Sequence, residues 1–266
     1  MPIPELLSPF LGEASLLLQY GERHKRDRKL LTPPLHGSRM RAYGRLMREA
    51  ALRHTAHWKP GRPFTLLETT QAISLEVITR AVFGVVDDGR VAVYEKALTD
   101  YVGAMTAPLI YFKSIHRRFG GFGPWARFDR ARQALFRLLD EDIDRAQRDT
   151  APREDILSLM LSARYEDGEA LSRVEVRDQL LTLLFAGHES TAVTFAWAPY
   201  YLHRDRAALE RVKAELKPLA DVGRQLEVAP VPRVREARRN FSLGPKEGVR
   251  IVLTGDATSH DTGQVQ

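Results

Sequence analysis

The segment LTLLFAGHESTAVTFAWAPYYL, residues 181–202, is apolar except at its middle, where His188, Glu189, Ser190 and Thr191 stand together. A carboxyl group beside two hydroxyls can hold and pass protons, which is the work of a relay feeding a reaction centre. Polar side chains within an apolar helix must be hydrogen-bonded or face a cavity. Ala186 and Gly187, just before the cluster, remove side-chain bulk, so a flat object could approach the backbone there. The glycine costs a helix about 1 kcal/mol relative to alanine. Two readings stand on these residues alone. The polar group could only fix helix register in a core, or the helix could cross a large planar cofactor with a proton relay beside it. A membrane span is excluded, because a Glu and a His near the bilayer midplane would each cost a few kcal/mol. A second pair, His24 and Arg28, lies four residues apart in GERHKRDRKLLTPPLHG. That spacing puts both on one helix face, where two donors can converge on one carboxylate. The plain alternative is a solvated basic face.

The elements that must carry these residues are mostly helical. The 181–202 segment reads as a long helix through a globular core. LLETTQAISLEVITRAVFG puts Leu66, Ile73, Val77 and Ala81 on one stripe of a five-turn helix, with Ile78 and Val82 beside it. FDRARQALFRLLDEDIDRAQRD, from Phe128, repeats the pattern with a charged outer face. Thr150-Ala151-Pro152 breaks it, and EDILSLMLSARYEDG starts a new helix ending at the turn Glu166-Asp167-Gly168. Ser172 stands three residues before Glu175, a capping-box signature. HRDRAALERVKAEL, from His203, reads as a charged surface helix. Pro33-Pro34 must stop the helix before it, and FGGFGPW, from Phe119, is a Gly-rich turn. After Pro218 the chain becomes Pro-punctuated, and NFSL and GVRIVL read as short strands around Gly244-Pro245, a terminal hairpin. Residues 255–266 are polar and read as a disordered tail.

With those residues in view, Ala186-Gly187-His188-Glu189-Ser190-Thr191 resembles the central-helix oxygen-activation motif of the cytochrome P450 family: small residue, Gly, any residue, acid, Thr. The resemblance implies that Glu189 is the acid and Ser190 the hydroxyl that supply protons during oxygen activation, with Thr191 following. Ser190 keeps the hydroxyl of the usual Thr and loses its methyl. His24 and Arg28 match the family's haem-propionate pair, and Ala186 and Gly187 would flank haem. The run from Asp155 into the central helix, and HRDRAALERVKAEL after it, are similar to the family in the same order. ARRNFSLGPKEGVRIVL resembles the family's last hairpin, which implies that Phe241 and Ser242 line the substrate pocket. The implied fold is mainly α, a truncated cytochrome P450 domain over residues 1–254 with a small C-terminal β-hairpin. The implied reaction is monooxygenation of an apolar small molecule, with haem as cofactor and a ferredoxin- or flavodoxin-type electron donor.

Two family hallmarks have no counterpart. No Glu-x-x-Arg helix precedes the terminal hairpin, and the Cys loop that ligates haem iron is missing. The chain passes from AELKPLADVG into LEVAPVPRV, which places a deletion junction near residues 217–226, and the resemblance also starts short of the family's first helix and sheet. The sequence contains no cysteine, which removes thiol nucleophiles, Cys-ligated zinc and a haem thiolate from this chain. The expectation is therefore a chain inactive as a monooxygenase, the rival being a non-enzymatic helical remnant that binds a ligand or partner.

The rest is ordinary. Hydrophobic residues make up 44% and charged residues 28%, with 40 Lys+Arg against 34 Asp+Glu. That mild basic excess does not demand nucleic acid. Arg233, Arg235, Arg238 and Arg239 lack interleaved aromatics and read as a solvated strand edge. His54 and His57 lack a third ligand, so no metal site is expected. No secretory signal is evident, and the expected location is cytoplasmic, away from membranes.

Overall fold

The computed structural model describes residues 3–35, 39–85, 87–117, 121–149, 153, 155–216, 224–227, 236–239, 242–245 and 249–256. Among them the helices are α1 (Ile3–Leu11), α2 (Gly21–Leu31), α3 (Arg39–Thr55), α4 (Leu66–Phe83), α5 (Asp88–Ala104), α6 (Ala107–Tyr111), α7 (Pro124–Arg148), α8 (Ile156–Ser162), α9 (Arg173–Arg204) and α10 (Arg206–Leu216). The strands are β1 (Phe64–Thr65), β2 (Arg224–Glu227), β3 (Glu236–Arg239), β4 (Ser242–Pro245) and β5 (Arg250–Asp256). The protein is mainly α with a small β-hairpin, as the sequence implies.

Two compact units divide the chain. The first comprises Met1–Met47 and Leu75–Gly187. Its core is built on α5, α7 and the first half of α9, with Tyr94, Tyr101, Phe128, Leu135, Leu139, Leu180, Leu181 and Leu184 all 0% exposed. In α7 the apolar positions Phe128, Leu135, Leu139 and Ile143 recur at helical spacing, which is why one face is buried and the rest stays charged. Buried Asp142 in that face is not bare: Arg90 donates to it at 3.0 Å and Arg145 pairs with it at 2.9 Å. The expected capping box is present at the start of α9. Ser172 Oγ accepts from the Glu175 N–H at 3.2 Å, and the Glu175 carboxylate accepts from the Ser172 N–H at 2.8 Å.

The second unit comprises Arg48–Ser74 and His188–Gln266. A small core of Trp58, Leu66, Tyr200, Val249 and Ile251 is flanked by Phe64 and Trp197. Leu67, Val193 and Ala196 form a second cluster. β5 lies between β1 and β2, antiparallel to both, with Phe64 opposite Ile251 and Leu226 opposite Leu253.

Four expectations need correction. The hairpin is β3 with β4, Arg239 opposite Ser242, whereas GVRIVL pairs with β1 and β2 rather than with NFSL. β5 runs to Asp256, two residues into the expected tail, because β2 supplies partners for Gly255 and Asp256. α8 stops at Ser162, and the following segment turns back on itself through a bridge between Arg164 and Ala170. In α4 the buried stripe is rotated: Leu75, Thr79 and Val82 are buried, whereas Ile73, Val77 and Ala81 are half-buried. The small hydroxyl residues Thr70, Ser74 and Thr79 face inward; Thr70 and Ser74 find carbonyl acceptors, whereas the buried Thr79 Oγ1 has no hydrogen-bond partner.

Candidate functional site

α9 carries the polar cluster at its centre, and α4 holds it there. Gln71 Nε2 donates to the Glu189 carboxylate at 3.2 Å, and Ser74 Oγ donates to the His188 carbonyl at 3.0 Å. One turn further on, Thr70 Oγ1 donates to the Ala192 carbonyl at 2.9 Å and to the Leu67 carbonyl at 3.0 Å. These α4 donors spaced over one turn lie along the α9 backbone, so the register of α9 against residues 66–74 is fixed by hydrogen bonds as well as by Leu67, Val193 and Ala196. Glu189 is half-buried and oriented by an amide donor rather than by a counter-charge. That arrangement orients a carboxyl group without locking it into an ion pair, as a proton-handling group requires.

The opposite face of α9 is open. Ala186, Ser190, Thr191 and Thr194 are exposed, and Phe195 is 62% exposed. Thr194 Oγ1 donates back to the Ser190 carbonyl at 2.8 Å. The spacing 186, 190, 191, 194 follows one helix face. The two small residues do different things. Ala186 is exposed, whereas a Cβ on Gly187 would fall 2.4 Å from Cδ1 of Ile78, so that glycine admits an α4 side chain. The ring of His188 points away from water, and its Nδ1 is buried without a hydrogen-bond partner. Burial pushes its pKa down from 6.5, opposed by the nearby Glu189 charge.

In α2 the pattern is equally one-sided. Asp27 and Leu30 are buried, and Tyr165 donates to Asp27 at 2.8 Å. Outward, Arg26 lies over the Tyr165 ring at 3.9 Å and pairs with Asp167 at 2.7 Å and Glu169 at 3.1 Å. These anchors leave His24 half-exposed and Arg28 exposed. Arg28 borders a shallow depression of about 510 Å³ with Lys25, Lys29, Thr32 and Pro33. His24, Arg28, Ala186 and Gly187 belong to the first unit, and Glu189, Ser190 and Thr191 to the second. Ser242 begins β4 opposite Arg239, and Phe241 lies outside the described residues.

Sequence reasoning missed Gln71, Ser74 and Thr70, because nothing in α4 marks them as partners of a helix more than 110 residues away. Asp27 was missed as well, one acid within the basic run HKRDRK. A lone acid so surrounded is the signal that could have found it.

A helix of this length with a polar centre, one face gripped and the other bare, belongs to a known class of fold. The retinoic acid bound cyanobacterial CYP120A1 superposes with a TM-score of 0.67 over 93% of this chain and 60% of that one, at 21% identity. In sequence, the Cytochrome P450 family model matches residues 3–232. The chain belongs to the cytochrome P450 family. A Mycobacterium bovis protein bearing the name cytochrome P450 138 is 34% identical over 234 residues, 87% of this chain and 52% of that protein. A Mycobacterium tuberculosis protein bearing the name cytochrome P450 137 is 36% identical over 208 residues, 77% of this chain and 43% of that protein. The chain thus spans about half the length of the curated relatives it matches. No helix among the described residues is long and apolar enough to cross a membrane.

The family carries haem, and the residues here fit it only in part. Ala186 and Arg28 are exposed and His24 is half-exposed. The iron is another matter: the sequence has no cysteine, so this chain holds no thiolate. The donor set does not fit a thiolate-ligated haem.

Proposed function

We propose that this chain is the distal portion of a P450 haem monooxygenase, the part that handles protons and grips propionates, without the part that ligates iron. The observation that carries the reading is the Glu189 carboxyl group, held by Gln71 on a helix whose neighbouring Ser190 and Thr191 are exposed. On this reading Glu189 holds a proton, Ser190 with Thr191 offers hydroxyls on the open face, and His24 with Arg28 would pair with carboxylates. The parent activity is oxidation of an apolar small molecule with electrons from a ferredoxin- or flavodoxin-type donor, and Phe241 and Ser242 would line the substrate pocket. A segment is deleted near residues 217–226, and without a thiolate the chain does not turn over by itself. The second reading, a helical remnant that binds a ligand or partner without catalysis, draws on the same bare face.

The experiment is a spectrum. Purified protein incubated with hemin, reduced and exposed to carbon monoxide, should lack the red-shifted Soret band of thiolate-ligated haem. That band, if present, overturns the reading. Hemin uptake without it, weakened in Arg28→Ala, supports the half-cradle. No uptake at all moves the weight to the non-enzymatic remnant.

A further inference from the structure

Within the first unit, the segment between α8 and α9 turns back as a short hairpin against α2, and its two ends are held by different forces. At the base, Arg164 bridges Ala170, and the Tyr165 N–H donates to the Glu169 carbonyl at 2.9 Å. The Tyr165 hydroxyl donates at 2.8 Å to Asp27, which is 4% exposed, so the base is pinned on the buried side of α2. The tip is Glu166-Asp167-Gly168-Glu169, four exposed residues without an apolar side chain to pack. Gly168 takes φ of +84°, the left-handed conformation that reverses the chain there. Charge holds this tip. Arg26 pairs with Asp167 at 2.7 Å and with Glu169 at 3.1 Å, and Lys29 pairs with Glu166.

Behind the clasp lies a cleft of about 1170 Å³ between α2 and the hairpin. Leu30, Pro34, Leu159 and Ala163 line it together with the clasping charges. A hairpin sealed by apolar packing would be indifferent to added salt or tightened by it. Exposed ion pairs behave in the opposite way: each contributes little, and salt screens it. The Debye length falls from about 30 Å at 0.01 M salt to about 3 Å at 1 M. We propose that residues 164–170 form a lid, hinged at Tyr165 on Asp27 and clasped to α2 by Arg26 and Lys29, so that ionic strength sets access to the cleft. The lid works in this way whether or not the chain binds haem.

The chain has no cysteine, so a single introduced thiol reports on the cleft without background. Ala163→Cys places that thiol on the cleft wall, and Val93→Cys, at a position in α5 that is 46% exposed, supplies the reference. Labelling by uncharged N-ethylmaleimide is timed in the full chain at the low and high ends of that salt range, and the cleft rate is divided by the reference rate. In Ala163→Cys alone the ratio should rise about fivefold in high salt. Adding Arg26→Gln with Lys29→Gln, or separately Glu166→Gln, Asp167→Ser and Glu169→Gln, should give the fast ratio at both salt concentrations. These five side chains are each at least 45% exposed, so far-UV circular dichroism should stay unchanged in both sets. A ratio that salt does not move in Ala163→Cys alone overturns the proposal. So does a salt dependence that survives in either set, because the screened charges would then lie elsewhere.

Discussion

The two halves of α9 are made of similar residues and live in different surroundings. In the first half, Val176, Leu180, Leu181 and Leu184 are fully buried, and the buried polar side chains Asp178, Gln179 and Thr182 are hydrogen-bonded. Asp178 accepts from the Ala14 N–H at 3.1 Å, Gln179 accepts from the Leu16 N–H at 3.1 Å, and Thr182 donates to Ser15 Oγ at 2.7 Å. In the second half, Ala192 and Ala196 are buried on one side, while Ser190, Thr191, Thr194 and Phe195 are exposed on the other. The first half buries its apolar residues, whereas the second half exposes three hydroxyl residues and Phe195 on one side. The difference separates a half whose side chains are covered from a half with one exposed side.

The largest test of that contrast is a cavity in the covered half. Leu181→Ala removes a fully buried side chain and should cost about 2–5 kcal/mol in urea unfolding, with the slope unchanged. A loss below 1 kcal/mol would mean that this half is as loosely packed as the other.

Next comes the loop that seals the covered half. Asp178→Ala leaves the Ala14 N–H buried without an acceptor, which should cost about 1–3 kcal/mol. Asp178→Asn keeps the acceptor and tests the charge. Burial raises the Asp178 carboxyl pKa above its ordinary 3.8, although the Ala14 hydrogen bond and Arg177 work against the shift. A raised pKa in the fold means that the native state binds the proton more tightly than the unfolded chain. The contribution is therefore complete below pH 3.8 and is lost as pH rises through the folded value. The Asn variant should lack that decline, so its stability relative to the parent should improve from acid to neutral pH. Parallel profiles for the two proteins would show that Asp178 is not desolvated.

Gly187 sits at the junction between the two halves and sharpens the comparison by a smaller amount. Alanine there gains about 1 kcal/mol of helix propensity but pushes a methyl against Ile78 Cδ1. The net expectation is a loss of about 1 kcal/mol, reversed when Ile78→Val removes the opposing methyl. If Gly187→Ala stabilises the protein by itself, the glycine is kept for something other than packing against α4.

Much of this was legible in the residues. The start of α9 follows from the Ser172–Glu175 box, whereas the helix runs on to Arg204, past His203 where the sequence places the next helix, and α2 stops before Pro33-Pro34 as proline requires. Periodicity located α4 but misplaced its buried face, because several buried positions are hydroxyl residues, and Thr70 and Ser74 find their acceptors on another helix. Pattern alone cannot supply a partner 114 residues away. The strands show the same limit. GVRIVL reads as a strand, yet its partners are set by register with Phe64 and Leu226, which no local signal announces. The motif residues 186–191 were visible as a cluster, but which side of the helix each takes was not.

The smallest effect on stability belongs to the open face, and it is the most informative about what that face is for. Phe195 is 62% exposed, so Phe195→Ser should change unfolding free energy by no more than about 0.5 kcal/mol. Its effect should appear elsewhere. An aromatic ring beside Thr191 and Thr194 on a bare helix face is a site for hydrophobic dyes and for self-association. The parent chain should bind such a dye, melt broadly and sediment partly as oligomers, while keeping a helical far-UV spectrum. Phe195→Ser should reduce dye binding and association with the melt nearly unmoved. The covered half predicts the opposite signature, since Leu181→Ala should lower the melt and raise dye binding together. If the parent chain is instead a monomer with a sharp melt and no dye binding, the open face is closed in solution. The second half of α9 would then be as self-sufficient as the first, and the non-enzymatic reading of the chain would take precedence.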